Sequence, residues 1–350
     1  MSHLPCDFAA TVESPLIKPD ALIQALPRTV TTNRFIHAAR VATRNIVQGQ
    51  DKRLLVVVGP CSIHDENSTL EYAALLAQAA HCYRHELFLV MRAYFEKPRT
   101  LLGWKGLISD PWLDGSFDIN HGLHAARKIL LQLANLGVPA ATEFLDNIIP
   151  HYLQDLISWS AIGARTSASQ LHRELASGLA MPVGFKNSTD GNVQVAVDAV
   201  HTARYQHSFL GISPAGDAAI LHSAGNNACH IVLRGSQQAA NYFSGDVSCA
   251  VRALAKAGLV QRVMIDCSHG NSMKDFTRQP LVIDVVAEQI RQGSLHILGV
   301  MLESHLRSGR QNINADKPLI YGQSVTDACL SWQQTVPLLE KLATAVSHRD

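Results

Sequence analysis

The chain has 350 residues, 47% of them hydrophobic, and a formal net charge of +1 from 30 basic and 29 acidic side chains. That length suits one large domain or two ordinary ones, able to bury roughly 75% of the unfolded surface without staples. The balanced charge gives no reason to expect a nucleic-acid partner, the seven scattered cysteines make no disulfide framework, and the absence of any 18-residue apolar run or leader pattern predicts a cytoplasmic protein without a membrane span.

Residues 1–48 read as an arm followed by helices with an oligomeric or regulatory role. Met1 to Val12 has no clear period. Pro19-Asp20-Ala21-Leu22-Ile23 opens one helical stretch and Thr32-Asn33-Arg34 a second, whose apolar residues recur at helical spacing as far as Val47. The second helix is expected to pack on the floor of the following domain or on another subunit.

From residue 49 to 350 short apolar runs alternate with helical patterns. The strand candidates are 54–58, 87–91, 138–142, 161–164, 182–185, 230–233, 262–266 and 297–302. The helices between and after them are Thr69–Ala80, Gly122–Leu136, Pro150–Ile157, Ser169–Ala176, Val193–Ala203, Ser248–Ala257, Leu281–Gln292 and Ser331–Ala345. Eight strand–helix units predict an α/β fold of the (β/α)₈ TIM-barrel type. The stretch from Lys186 to Arg234 is too long for one helix. Two short apolar runs around Pro214-Ala215-Gly216-Asp217 predict a β-hairpin, at about 207–224, inserted between the fifth and sixth barrel strands.

In such a barrel the carboxyl ends of the strands build the active site. Read in order, the strands end on or near Cys61, Arg92, Glu143, Arg165, Lys186, Arg234, His269 and Glu303. Four of these are cations converging on one barrel mouth. Such a set repels unless an anion joins it, and Arg forks with a Lys point charge suit phosphate and carboxylate oxygens. The loop Glu96-Lys97-Pro98-Arg99-Thr100 adds two cations and a hydroxyl, enough for a second phosphate. Cys61, His269, Glu303 and Asp327 form a mixed sulfur, nitrogen and oxygen set suited to one divalent first-row metal, which the ligand types alone leave open among Mn, Fe, Co and Zn. Taken singly, each has a plainer alternative: Cys61 as a small buried side chain, His269 as a loop donor, Asp327 as a helix cap.

Several long motifs carry a family resemblance: Gly59-Pro60-Cys61-Ser62-Ile63-His64-Asp65, Met91-Arg92-Ala93-Tyr94-Phe95-Glu96-Lys97-Pro98-Arg99-Thr100, Gly103-Trp104-Lys105-Gly106, Ala161-Ile162-Gly163-Ala164-Arg165-Thr166, Val183-Gly184-Phe185-Lys186-Asn187, Leu233-Arg234-Gly235, Asp266-Cys267-Ser268-His269-Gly270-Asn271-Ser272 and Met301-Leu302-Glu303-Ser304. From about residue 15 to 345 the chain resembles the type I 3-deoxy-D-arabino-heptulosonate-7-phosphate (DAHP) synthases, and most the tyrosine-sensitive kind. The resemblance implies condensation of phosphoenolpyruvate with erythrose 4-phosphate and water, giving DAHP and phosphate, in the first step of the shikimate route to chorismate and the aromatic amino acids. It implies that Cys61, His269, Glu303 and Asp327 hold the metal. It implies that Arg92, Ala164, Arg165, Lys186 and Arg234 bind phosphoenolpyruvate, that Lys97, Arg99 and Thr100 bind erythrose 4-phosphate, and that Lys97 and Glu143 assist the chemistry beside Cys61 and His269. The chain departs from the family pattern at Ser188, where Gly is usual, and at Ser236-Gln237, where Gly-Lys is usual.

The same resemblance implies feedback inhibition through a remote pocket lined by Pro150, Leu179, Ala180, Phe209 and Gly211. Gly at 211, in place of Ser, leaves room for a phenolic hydroxyl and points to tyrosine. A homodimer or homotetramer is implied as well. The alternatives are the sister synthase that makes 3-deoxy-octulosonate 8-phosphate, and a non-catalytic barrel that senses an amino acid.

Overall fold

The computed structural model describes residues 14–99, 102–314 and 317–349. Two helices come first, α1 (Pro19–Ala25) and α2 (Val30–Gln48). The Thr29 hydroxyl accepts a hydrogen bond from the Thr32 amide and starts α2; Gly49, at φ 79°, ends it in the left-handed conformation that Gly adopts without penalty.

The barrel strands follow with their crossover helices: β1 (Leu54–Gly59), α3 (Glu66–Cys82), β2 (Leu87–Arg92), α4 (Ile119–Asn135), β3 (Ala140–Glu143), α5 (Pro150–Leu153), β4 (Trp159–Ile162), α6 (Gln170–Gly178), β5 (Val183–Lys186) and α7 (Gln194–Ala203). The chain then makes the antiparallel hairpin β6 (Ser208–Ile212) and β7 (Ala218–His222), before returning to the barrel through β8 (His230–Leu233), α8 (Ser244–Lys256), β9 (Val263–Asp266), α9 (Gln279–Arg291) and β10 (Ile297–His305). A two-residue strand, β11 (Leu330–Ser331), pairs with the end of β10 and leads into α10 (Trp332–Ser347).

The order β1-β2-β3-β4-β5-β8-β9-β10 is parallel throughout, and β10 pairs back onto β1 from Leu55↔Gly299 to Gly59↔Glu303, so the sheet closes. The fold is the expected eight-stranded TIM barrel with an N-terminal helical region and an inserted hairpin outside the ring. Observed boundaries differ from the expected ones by a few residues. The strand expected at 161–164 begins at Trp159, and the one expected at 297–302 runs on to His305. The helix expected over Pro150–Ile157 is one α-turn followed by a 3₁₀ turn, Gln154–Leu156.

Almost every barrel-strand residue is buried, which explains why the runs show no polar alternation. One apolar layer lies between strands and helices. A second fills the barrel lumen with Leu55, Val57, Val90, Tyr94, Trp159, Val232, Met264 and Met301, joined from below by Ile46 and Val47 of α2. The α2 helix therefore plugs the floor, where Arg262 holds its Ile46 carbonyl. With the floor filled, only the carboxyl ends of the strands are left to form a mouth. The hairpin is more open: Leu210 and Ile220, paired across it, are 82% and 69% exposed.

Candidate active site

β1 ends at Gly59, and the turn beyond it delivers the fully buried Cys61 to the mouth. The loop after β10 returns across this turn. Ser62 Oγ and Thr326 Oγ1 are 2.7 Å apart, and the Asp327 amide points at Cys61 Sγ from 3.4 Å. Cys61 Sγ also lies 3.4 Å from Asp327 Oδ2. Cys61, Glu303 and Asp327 place their ligand atoms within 4.8 Å of one another, the first two buried and Asp327 at the exposed edge. His269 stands beside this trio, its Nε2 3.9 Å from Glu303 Oε1 and its Nδ1 2.9 Å from Asp266 Oδ2. Burial, and after it the charge of Glu303, pushes the Cys61 thiol up to about 12, although Lys97 opposes the shift. A divalent cation among these groups reverses that balance, because it binds the thiolate and offsets the carboxylates. Soft sulfur, imidazole and hard carboxylates, three of them gathered in one small space, fit a single first-row divalent ion.

The cations line the same mouth. Arg92, at the end of β2, is buried among Glu303 Oε1 (3.0 Å), the carbonyls of Pro60 and Cys61, and the face of Tyr94, 3.7 Å from its guanidinium carbon. Lys97 Nζ lies 3.0 Å from Cys61 Sγ and 3.3 Å from the Cys61 carbonyl. Lys186 Nζ sits between Asp266 Oδ2 (3.2 Å) and Glu143 Oε2 (3.7 Å). Burial lowers the pKa of Arg234; Asp266 opposes the shift and Arg165, exposed on the loop after β4, adds to it. Mutual repulsion of this kind favours an anion between the two guanidiniums. Ala164, half-buried, precedes Arg165 in that loop.

Glu143 ends β3 and is buried. Its pKa is lowered: burial works to raise it, but Lys186, Lys97 and Arg92 outweigh that, so the carboxylate is charged at neutral pH. Its space is kept by Gly163, where a Cβ would stand 2.5 Å from Glu143 Oε1. Arg99 is exposed, while Thr100 lies outside the described residues. The Lys97 loop folds back through a bond from the Lys97 amide to the Lys105 carbonyl, 2.9 Å long. Gly106, at φ 110°, makes this possible, because any Cβ there would meet the Phe95 carbonyl at 2.1 Å.

Sequence reasoning assigned no role to Asp266. It closes β9, is fully buried, and contacts both Lys186 and His269 while accepting from Ser268 Oγ. The signal for it is a charged residue ending the apolar run Val263-Met264-Ile265, overshadowed by His269 three positions on. Asn187 and Asn271 were also passed over. Asn187 accepts from the Arg234 amide and donates to the Gly235 carbonyl, and Asn271 donates to the Leu233 and Asp266 carbonyls. Side-chain amides bracing neighbouring loops leave no mark in a sequence. Ser236, one of the departures from the family pattern, closes its own turn by accepting from the Gln238 and Ala239 amides.

Some of the remote positions lie near one another. The hairpin lies over α5 and the end of α6. Phe209 faces Gly178, next to Leu179, and a Cβ on Gly211 would stand 3.8 Å from His151 Nε2, next to Pro150. Pro150 and Leu179 are buried, Ala180 is exposed, and Phe209 and Gly211 are half-buried. The volume a side chain would take at 211 is filled by Leu221, whose Cδ1 would be 2.4 Å from that Cβ.

Comparison with known proteins matches the DAHP synthetase I family over residues 29–340. The chain is 52% identical over 334 residues to the Phe-sensitive phospho-2-dehydro-3-deoxyheptonate aldolase of Escherichia coli K12, covering 95% of each protein. It is 51% identical to the Trp-sensitive enzyme of Enterobacter agglomerans, covering 95% of this chain and 96% of that one. A solved phospho-2-dehydro-3-deoxyheptonate aldolase from Francisella tularensis SCHU S4 superposes with a TM-score of 0.95 at 49% identity, covering 97% of this chain and 99% of the other. A cationic mouth with a metal-suited trio, on a chain that matches each of these relatives over at least 95% of its length, has one family reading: the chain belongs to the DAHP synthetase I family and is a divalent-metal-dependent transferase of the shikimate route.

Proposed function

We propose that the barrel condenses phosphoenolpyruvate with erythrose 4-phosphate and water to give DAHP and inorganic phosphate. The observation that carries this reading is the meeting, at one rim, of the Cys61–Glu303–Asp327 trio with Arg92, Lys97, Lys186 and Arg234. Two small substrates with phosphate groups, one also a carboxylate, match that charge.

In this reading Arg92, Arg165, Lys186, Arg234 and the Ala164 amide hold phosphoenolpyruvate, while Lys97, Arg99 and Thr100 hold the aldose phosphate. Cys61, His269, Glu303 and Asp327 hold the metal, which when bound supplies Lewis acidity toward the aldehyde oxygen. The C3 carbon of phosphoenolpyruvate bonds to the aldehyde carbon, and the aldehyde oxygen takes a proton, with Lys97 close by to favour its charge. Glu143, charged and buried beside Lys186, accepts a proton from the water that adds to C2. The C2–O bond to phosphate then breaks, the ketone forms, and the cation cluster takes up the charge of the departing phosphate.

Residues 1–48 and the hairpin act as a regulatory and oligomeric addition to a catalytic unit at 49–350, assembled as a homodimer or homotetramer in the cytoplasm. The names of the relatives, Phe-sensitive and Trp-sensitive, support an aromatic amino acid as effector. Gly211 supports tyrosine, on condition that Leu221 swings aside. The test is a metal-reconstituted assay of phosphate release with both substrates, repeated with each aromatic amino acid. Turnover of arabinose 5-phosphate instead of erythrose 4-phosphate would overturn the substrate assignment. Inhibition by phenylalanine alone would overturn the tyrosine assignment.

A further inference from the structure

We infer that Gln279 is a positioning residue for the proposed metal ligand Glu303, a role that rests on the metal-site reading above. The pairing of β9 with β10 ends at Asp266↔Met301, where the Cys267 amide donates to the Met301 carbonyl over 2.9 Å. Glu303 lies two residues further along, so its backbone N–H and C=O face the same edge as those of Met301. Beyond Met301 the chain of β9 has turned away, through Asp266 and His269, toward α9. The edge is not left bare. The Gln279 side chain donates from Nε2 to the Glu303 carbonyl (3.0 Å), and its Oε1 accepts from the Glu303 amide (2.9 Å). One side-chain amide thus stands in for the missing peptide of the neighbouring strand.

On the other side Glu303 stands opposite Gly59 in the pairing of β10 with β1. Glu303 therefore sits between the β1 strand and the Gln279 amide, which takes both of its own backbone groups, and its carboxylate is aimed at Cys61, Asp327 and Arg92. Gln279 is itself fully buried at the first position of α9. It cannot be replaced there by water without a cavity, and its loss strands a buried donor and acceptor on Glu303. The same short segment that carries His269 into the mouth, residues 267–279, thus ends on the residue that locks Glu303. Residues that hold a ligand in place contribute to metal affinity without touching the ion.

The experiment titrates metal-free protein with Mn²⁺ and reads free Mn²⁺ by its EPR signal, so that no turnover is needed. Gln279→Met keeps the volume and removes both hydrogen bonds; we expect its Mn²⁺ affinity to fall about 10- to 100-fold. Gln279→Glu keeps the acceptor and sets a carboxylate oxygen against the Glu303 carbonyl. It is expected to weaken Mn²⁺ binding too, and it serves if the Met variant does not fold. Thr335→Val is the control: it breaks the 2.6 Å bond between Ser304 and Thr335, one residue along the strand, and leaves the Glu303 backbone alone. Its Mn²⁺ affinity should stay within about twofold of wild type. Unchanged affinity in a folded Gln279 variant, or an equal loss in Thr335→Val, overturns the proposal. A wild-type protein that takes up no Mn²⁺ removes the metal-site reading, and this role with it, before any variant is compared.

Discussion

Cys61 shows how one residue changes meaning between sequence and structure. Alone in the sequence it is a thiol after a strand. In the fold it lies between Lys97 Nζ, the Asp327 carboxylate and the Asp327 amide, with its protonated form favoured by burial. No base in position to activate it as a nucleophile is needed to explain it, whereas a metal is well served by it. We expect Cys61→Ala to lower metal-dependent turnover at least about 100-fold, with the folded barrel retained because one rim side chain is removed and no strand is cut. Metal content together with a circular-dichroism melt checks this; a variant that keeps full metal and full turnover would sink the assignment. Glu143 gives a pH prediction. Its folded pKa is depressed, so its charged form is complete above the ordinary carboxylate value of about 4.3 and is lost only as pH falls through the lower folded value. Glu143 should therefore impose no acid limb on kcat/KM between pH 5 and pH 7, and Glu143→Gln should lower kcat about 10²- to 10⁴-fold across that range. A rate profile for wild type and variant decides it.

Among the elements, the strands were the most legible and the joints between them the least. Runs such as Leu54–Val58 and His230–Leu233 stand out because a parallel barrel buries both faces of each strand. What the runs hide is which side chains meet inside the ring. Trp159 of β4 and His230 of β8 do so: Trp159 Nε1 donates to His230 Nε2 over 2.9 Å, and His230 Nδ1 donates to the Ile231 carbonyl. The ring is buried and neutral, with its pKa lowered from 6.5 to about 4 by burial. A depressed histidine contributes stability that is present above 6.5 and is lost as pH falls through 4. Over that window this one group takes away about 3 kcal/mol. His230→Gln keeps an acceptor for Trp159 and cannot titrate. Urea unfolding at pH 7 and pH 4.5 should show a smaller loss for the variant, and an equal loss in both proteins would refute the assignment.

At the scale of the whole molecule, the barrel and its additions raise separate questions. The catalytic mouth is built from strand ends, whereas the hairpin, α1 and α5 meet on the flank, where the Asp20 amide donates to the Pro214 carbonyl. Regulation from that flank predicts a separable phenotype. Gly211→Ser forces Leu221 to move and narrows the cleft, so inhibition by tyrosine should weaken by about tenfold or more while uninhibited turnover is unchanged. Inhibition curves with tyrosine and phenylalanine test it, and an unaltered tyrosine response would remove Gly211 from the specificity argument.

The order of elements, the eightfold repeat, the inserted hairpin and most of the residues at the strand ends, Asp266 excepted, were readable in the chain, because burial of parallel strands and the position of their carboxyl ends are local properties of the sequence. Cys61 and Glu303 stand at or just past strand ends, and the fold brings Asp327, 266 positions from Cys61, to the same place from the loop after β10. The tertiary structure alone decided the rest. It settled α2 on the barrel floor rather than against another subunit, and set Asp266 between Lys186 and His269. It also brought Gln279 to the edge that β9 leaves open and filled the space beside Gly211 with Leu221. These are contacts between side chains and distant backbone, set by how the ring closes and packs, and residue type or spacing along the chain carries no record of them.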